Sequence, residues 1–137
     1  MKPLLTMAAM ALGITALPAL ARAEAPCAAL KDVRLPHVEI TAVTTETVAS
    51  GQACRISATS RPTADSDIRM EIWIPVGGAW NGKYVQYGNG GFAGSIRSGQ
   101  LSAAAARGYA AAATDDGHQA GGQDGRWALN HPEKVID

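Results

Sequence analysis

The run Gly88-Asn89-Gly90-Gly91-Phe92-Ala93-Gly94 constrains this chain more than any other segment, because it follows directly on the apolar stretch Tyr84-Val85-Gln86-Tyr87. Four glycines in seven residues are more than the end of a strand needs. They let the backbone approach a neighbour closely and take up positive φ angles without a Cβ clash. Ser95 to Arg107 then reads as a helix with Gly108 as its C-terminal cap, and Tyr109 to Thr114 as a further strand. Strand, glycine loop, helix, strand is a βαβ unit, which demands a parallel pair and a right-handed crossover. Such a loop aims backbone N–H groups at a negative charge, either a phosphate or an oxyanion formed at a carbonyl under attack.

The segments upstream are strands of a different kind. Val38 to Val48 is rich in valine and threonine and reads as one long strand, and Gly51 turns the chain into a second strand at Cys54 to Ala58. Cys27 to Leu30 forms a short helical turn before them, and Arg61 to Asp67 is a loop. In Ile68 to Pro75, Ile68, Met70, Ile72 and Ile74 alternate with Arg69, Glu71 and Trp73, the period of a strand with one buried face. Asn81-Gly82 suits a type I′ turn, which would join that strand to Lys83–Tyr87 as a hairpin. Antiparallel strands first and a βαβ unit after predict a mixed α/β sheet. Gln119 to Gly125 is a polar surface loop. A new element begins at Trp127 and is unfinished at Asp137, so the chain reads as a fragment.

At 137 residues there is room for one small domain, and the formal net charge of zero, with no basic patch, argues against nucleic acid as a partner. The first residues read as an export signal: Lys2, an apolar stretch from Leu4 to Leu20, and the cleavage site Ala21-Arg22-Ala23. An uncleaved membrane anchor is the rival reading, but the stretch is short and weak for a spanning helix. Residues 1–23 are thus assigned to a signal peptide and 24–137 to the mature chain, exported to the periplasm or secreted, with no membrane anchor after cleavage. Cleavage leaves 10 basic and 12 acidic residues. In an oxidising compartment Cys27 and Cys54 are expected to pair. A zinc site is the weaker reading, because no histidine pair stands near them.

The glycine loop matches neither phosphate fingerprint. A P-loop ends in Gly-Lys-Ser/Thr, and Ala93-Gly94-Ser95 lacks the lysine. In a dinucleotide loop the third glycine would fall at Ala93, with Asp115 or Asp116 as the acid, yet that loop belongs after the first strand of its sheet. A tight turn with no site is the bland alternative. The remaining one is the loop between the third strand and first helix of an α/β-hydrolase, which gives one N–H to the oxyanion hole. His118, with Asp115 and Asp116 beside it, is better read as a residue satisfying its own turn than as a catalytic base. His131 before Pro132 reads as a helix-start residue, His37 has no partner in view, and Trp73, Trp80 and Trp127 read as packing residues.

Several segments together resemble the N-terminal part of the tannase and feruloyl esterase family of α/β-hydrolases, which is close to the mono(2-hydroxyethyl) terephthalate hydrolases. They are Asp65-Ser66-Asp67-Ile68 leading to Glu71-Ile72-Trp73-Ile74-Pro75, Trp80-Asn81-Gly82-Lys83, the glycine run itself, Gly108-Tyr109-Ala110, Thr114-Asp115-Asp116-Gly117-His118, and Trp127-Ala128-Leu129 with His131-Pro132-Glu133-Lys134-Val135. Asp116 stands where such proteins often carry a second threonine. The resemblance implies hydrolysis of aromatic-acid esters (gallate, ferulate or a phthalate-type ester), with a small aromatic ester as substrate, by a Ser-Asp-His triad. No catalytic residue of that triad is present here: no G-x-S-x-G elbow occurs, so the nucleophile is expected beyond Asp137, as is a lid domain with a calcium site. The resemblance carries the oxyanion loop onto Gly91 first, then Gly90 and Phe92, and the family's N-terminal disulfide onto Cys27 and Cys54. It assigns no metal ligand and no cofactor within these residues. A secreted non-enzymatic domain, its glycine loop structural or binding a small ligand, is the competing reading.

Overall fold

Val38–Val48 and Gly51–Ser60 form β1 and β2, an antiparallel pair joined by a tight turn, in the computed structural model, which describes residues 27–136. The signal peptide assigned to residues 1–23 lies outside the described residues. β2 is longer than the sequence pattern suggests, because Gly51, at φ 131°, opens the strand rather than forming the turn before it. Ile68–Pro75 is β3, antiparallel to β2 with Ile56 opposite Ile72. Tyr84–Tyr87 is β4, Ser98–Ala105 is helix α1, and Ala110–Thr114 is β5. Short 3₁₀ turns occur at Cys27–Asp32, Arg126–Ala128 and Pro132–Val135. Among the described residues no helix is long and apolar enough to cross a membrane.

The five strands make one mixed sheet in the order β1-β2-β3-β5-β4. β4 and β5 are parallel, with Val85 opposite Ala111, as the βαβ reading requires. The expected β3–β4 hairpin does not form: β5 lies between them, antiparallel to β3, with Ile72 opposite Ala112. The turn that suggested the hairpin is not of type I′ either. That type needs positive φ at both central residues, and only Gly82, at 79°, has it. Asn81 instead works through its side chain, donating from Nδ2 to Arg107 O at 3.0 Å and accepting Lys83 N–H at 2.9 Å. It thereby ties the approach to β4 to the end of α1. Trp80 beside it is an exposed residue rather than a packed one, its indole N–H donating to Lys83 O at 3.0 Å.

Alanine is a poor strand former, yet Ala110–Thr114 is an interior strand of the sheet, and α1 packs over it and β3. Ala111 and Ala113 of β5 are buried against Leu101, Ala104 and Ala105 of α1, with Trp73, Ala53 and Val48 completing the cluster. Small side chains on both elements allow the helix to approach the sheet closely, and burial outweighs intrinsic propensity here. On the opposite face Ile56, Ile72 and Ile74 pack with Cys27 and Cys54. These two cysteines form a disulfide, Cα–Cα 5.3 Å, that fastens the first 3₁₀ turn to β2. By the chain-entropy argument such a closed loop contributes about 3–4 kcal/mol.

The more deeply buried face of β3 carries Glu71 and Trp73, not the isoleucines. Glu71 is tolerated there because its carboxylate is fully used. It accepts from Arg55 Nη2 at 2.7 Å, Trp73 Nε1 at 2.7 Å and Ser98 Oγ at 3.1 Å, joining β2, β3 and α1. Burial alone would raise its pKa, but the hydrogen bonds from Arg55, Trp73 and Ser98, with the Arg55 charge, hold it below the usual value. A depressed carboxylate contributes stability that is complete above its unfolded pKa, about 4.3, and that fades as pH falls through the folded value. Glu71→Ala should therefore destabilise the fold by about 2 kcal/mol at pH 7, leaving donors unpaired beneath α1. Urea midpoints of the variant and the parent should draw together below pH 4, and a gap that does not narrow would contradict this account.

Candidate functional site

Parallel β4 and β5 end on the same edge of the sheet, so the loops that follow Tyr87 and Thr114 emerge side by side. In open α/β sheets this carboxyl edge is where ligands bind. Asn89 knits the two loops together. Its Nδ2 donates to Thr114 O and to Asp116 Oδ2, each at 3.0 Å, and its Oδ1 accepts Ser95 N–H at 3.1 Å. The last of these bonds holds Ser95 in the loop, so α1 starts at Ser98 and not at Ser95. Sequence reading passed over Asn89, since an asparagine among glycines looks like an ordinary turn former.

Gly90 to Ala93 is a tight turn, closed by Ala93 N–H on Gly90 O at 3.2 Å. Its first central residue, Gly91, has φ 62°. A Cβ at Gly91 would lie 2.5 Å from Gly122 O, whereas one at Gly90 would meet nothing within 4 Å. In a trans peptide the C=O and N–H point in opposite directions. Gly90 C=O turns inward to Ala93, so Gly91 N–H faces out of the turn, and neither it nor Gly90 N–H donates to an acceptor among the described residues. Phe92 differs, because its N–H donates to Gly122 O at 3.0 Å. Gly94 N–H donates to Ala120 O at 3.1 Å. Of the three expected donors, Gly90 and Gly91 are therefore open and Phe92 is engaged, with its ring exposed beside Gly125.

His118 does not pair with either neighbouring carboxylate. Its Nδ1 lies 2.9 Å from Asp116 O and its Nε2 3.0 Å from Phe92 O, across the loops. Trp127 stacks on it with ring centroids 3.7 Å apart, so this tryptophan packs as expected. His131, at the start of the Pro132–Val135 turn, pairs its Nδ1 with Asp65 Oδ2 at 2.7 Å. Cys27 and Cys54 sit in the other cluster, away from these loops.

Asp115, buried at the end of β5, accepts Arg69 N–H at 2.9 Å and Gly117 N–H at 3.2 Å, both on Oδ1. Burial raises its pKa above the usual value, the two backbone bonds and the Arg69 charge offset part of this, and the Asp67 charge adds to the rise. Asparagine would keep Oδ1 as the acceptor and remove the buried charge. A raised carboxylate destabilises the fold increasingly as pH climbs from the unfolded to the folded pKa. Asp115→Asn is therefore expected to be as stable as the parent, or more so, at pH 7, with no advantage at pH 3. A lower midpoint at neutral pH would show that the charge itself is needed.

A mixed sheet whose parallel pair ends beside a glycine loop is an arrangement that α/β-hydrolases share. Solved structures of an esterase and of feruloyl esterase B from Aspergillus oryzae share this fold, with TM-scores of 0.70 and 0.69 at 23% and 24% identity. Each match covers 80% of this chain, and 25% and 24% of the respective structures. Residues 54–137 match the family profile described as tannase and feruloyl esterase, and the chain belongs to that family. An uncharacterized esterase of Xanthomonas campestris pv. campestris is 40% identical over 90% of this chain, and a probable feruloyl esterase B-2 of Aspergillus fumigatus is 29% identical over 77% of it. The chain spans 23% and 19% of the length of these two relatives.

Proposed function

We propose that residues 24–137 are the N-terminal portion of the catalytic domain of an exported serine esterase acting on aromatic-acid esters, and that the glycine loop supplies one donor of its oxyanion hole. The outward Gly91 N–H, at the carboxyl edge of the sheet and held in a fixed turn, is the observation that carries this reading. A serine contributed by the rest of the protein attacks the ester carbonyl and passes its proton to a histidine. The carbonyl oxygen, now negative, receives Gly91 N–H, with Gly90 N–H next to it. Collapse expels the alcohol, which takes the proton, and water then releases the acid from the acyl-enzyme. Family membership and the relatives named esterase and feruloyl esterase support the reaction class. The disulfide supports passage through an oxidising compartment, periplasmic or extracellular. Calcium, which the resemblance places in a lid domain, would be held outside these residues.

The test is to express the full-length protein and assay methyl ferulate and methyl gallate before and after treatment with phenylmethylsulfonyl fluoride. Hydrolysis abolished by the reagent supports the proposal. Hydrolysis that resists it would remove the serine mechanism, and an inert, well-folded protein would favour the non-enzymatic reading.

A further inference from the structure

We propose that His118, backed by Trp127, is a positioning residue that fixes the turn presenting Gly91 N–H; the inference rests on the oxyanion role given to that turn. The turn from Gly90 to Ala93 has few contacts of its own. Gly90 and Gly91 are exposed, and the ring of Phe92 is 54% exposed. What holds it is the loop after β5, through Phe92 N–H on Gly122 O, Gly94 N–H on Ala120 O, and His118 Nε2 on Phe92 O. His118 is the one side chain among these three anchors, and it reaches the peptide immediately after the turn's centre.

The ring is itself held on three sides. Nδ1 faces Asp116 O, Trp127 covers one face at an interplanar angle of 13°, and Nε2 faces Phe92 O. The Trp127 indole N–H is buried without an acceptor among the described residues, so stacking on His118 and not a hydrogen bond sets the tryptophan's place. Asp116, in turn, is oriented by Thr114 Oγ1 at 2.6 Å and Asn89 Nδ2 at 3.0 Å. Asp116 itself sits at φ 54°, which an aspartate tolerates better than most residues do. The path from β5 to the glycine turn therefore runs through Asp116, His118 and Phe92, which are in contact in that order. A neutral ring has one N–H to give, and the proposal assigns it to Nε2, which donates to the Phe92 carbonyl.

The experiment compares His118→Ala, His118→Gln and Trp127→Leu in the full-length protein by two readouts. One is amide hydrogen exchange at Phe92 and Gly94, which reports the turn directly. The other is the division of any rate loss between kcat and KM. Loss of one such bond should speed exchange at these amides and lower kcat by about tenfold in His118→Ala, with KM within about twofold of the parent. His118→Gln, whose amide nitrogen can still donate to Phe92 O, should recover much of both, and Trp127→Leu should fall between. Exchange that is unchanged in His118→Ala overturns the positioning role whatever the rate does. Faster exchange with an unchanged kcat leaves the positioning role standing and instead removes the oxyanion role of the turn. If His118→Ala fails to fold, the Gln and Leu variants decide the question on the same two readouts.

Discussion

Gly91→Val in the full-length protein is expected to lower kcat by about 10²–10³ while KM changes little, because an oxyanion donor acts on the transition state and not on the bound ester. The substitution moves the donor in two ways. Valine is β-branched and resists the φ of 62° that the turn requires at this position. Its Cβ would also begin 2.5 Å from Gly122 O, so either the turn or the loop after β5 must shift. A displacement of about 1 Å is enough to take an N–H out of range of the developing charge. The thermal midpoint should drop by only a few degrees, since the turn lies on an exposed edge and contributes little to either apolar cluster. Gly90→Ala is the control. Gly90 has no positive φ and open space where a Cβ would go, so the variant should retain most of the parent rate. Parental turnover in Gly91→Val would sink the oxyanion assignment.

Gly94→Ala acts on the same loop, and it is expected to lower stability as well as the rate that depends on the turn's anchors. Gly94 is buried, and its φ is not positive, so its backbone would accept alanine. Space is what forbids it. The added carbon would collide with His118 O and would lie 2.6 Å from Asp115 O, both of them backbone atoms that cannot rotate aside. The two loops approach this closely because Gly94 N–H donates to Ala120 O on the same stretch. Forcing them apart breaks that bond, the Phe92–Gly122 bond and the His118–Phe92 contact together. The expected loss is about 3 kcal/mol, at the upper end for a single added methyl. Urea unfolding at pH 7 measures it, and a loss below about 0.5 kcal/mol would mean that the loops are not packed as described.

Local pattern made most of the elements legible. The alternation in Ile68–Pro75 gave β3, and the glycine run followed by a capped helix gave the parallel β4–β5 pair. The cysteine pair gave the disulfide. What the pattern missed depends on residues distant in sequence. The hairpin reading failed because β5, which follows a whole helix later, inserts between β3 and β4. Neighbours in sequence say nothing about such an insertion. The alternation did not reveal that Glu71 is buried, because a glutamate looks like a surface residue until Arg55, Trp73 and Ser98 are seen to converge on it. Within the site, the glycines announced a close approach but not its partner. The identity of the partner, Gly122 and Ala120 in a loop that reads only as polar surface, appears once the two strand ends are side by side.

The sheet joins two kinds of connection, one local and one long-range. β1, β2 and β3 succeed one another through short turns, so each new strand finds its partner a few residues away. β4 must wait for the stretch from Gly88 to Tyr109 to fold back before β5 can dock beside β3 and receive it. Long-range pairings of this kind form late, after the loop-closure entropy has been met. The glycine turn hangs from that last pair. The disulfide-tied strands β1 to β3 share no anchor with that turn, which depends on the β4–β5 end of the sheet alone. Its anchors, Gly122 O and Ala120 O, come into reach only where β4 and β5 lie side by side.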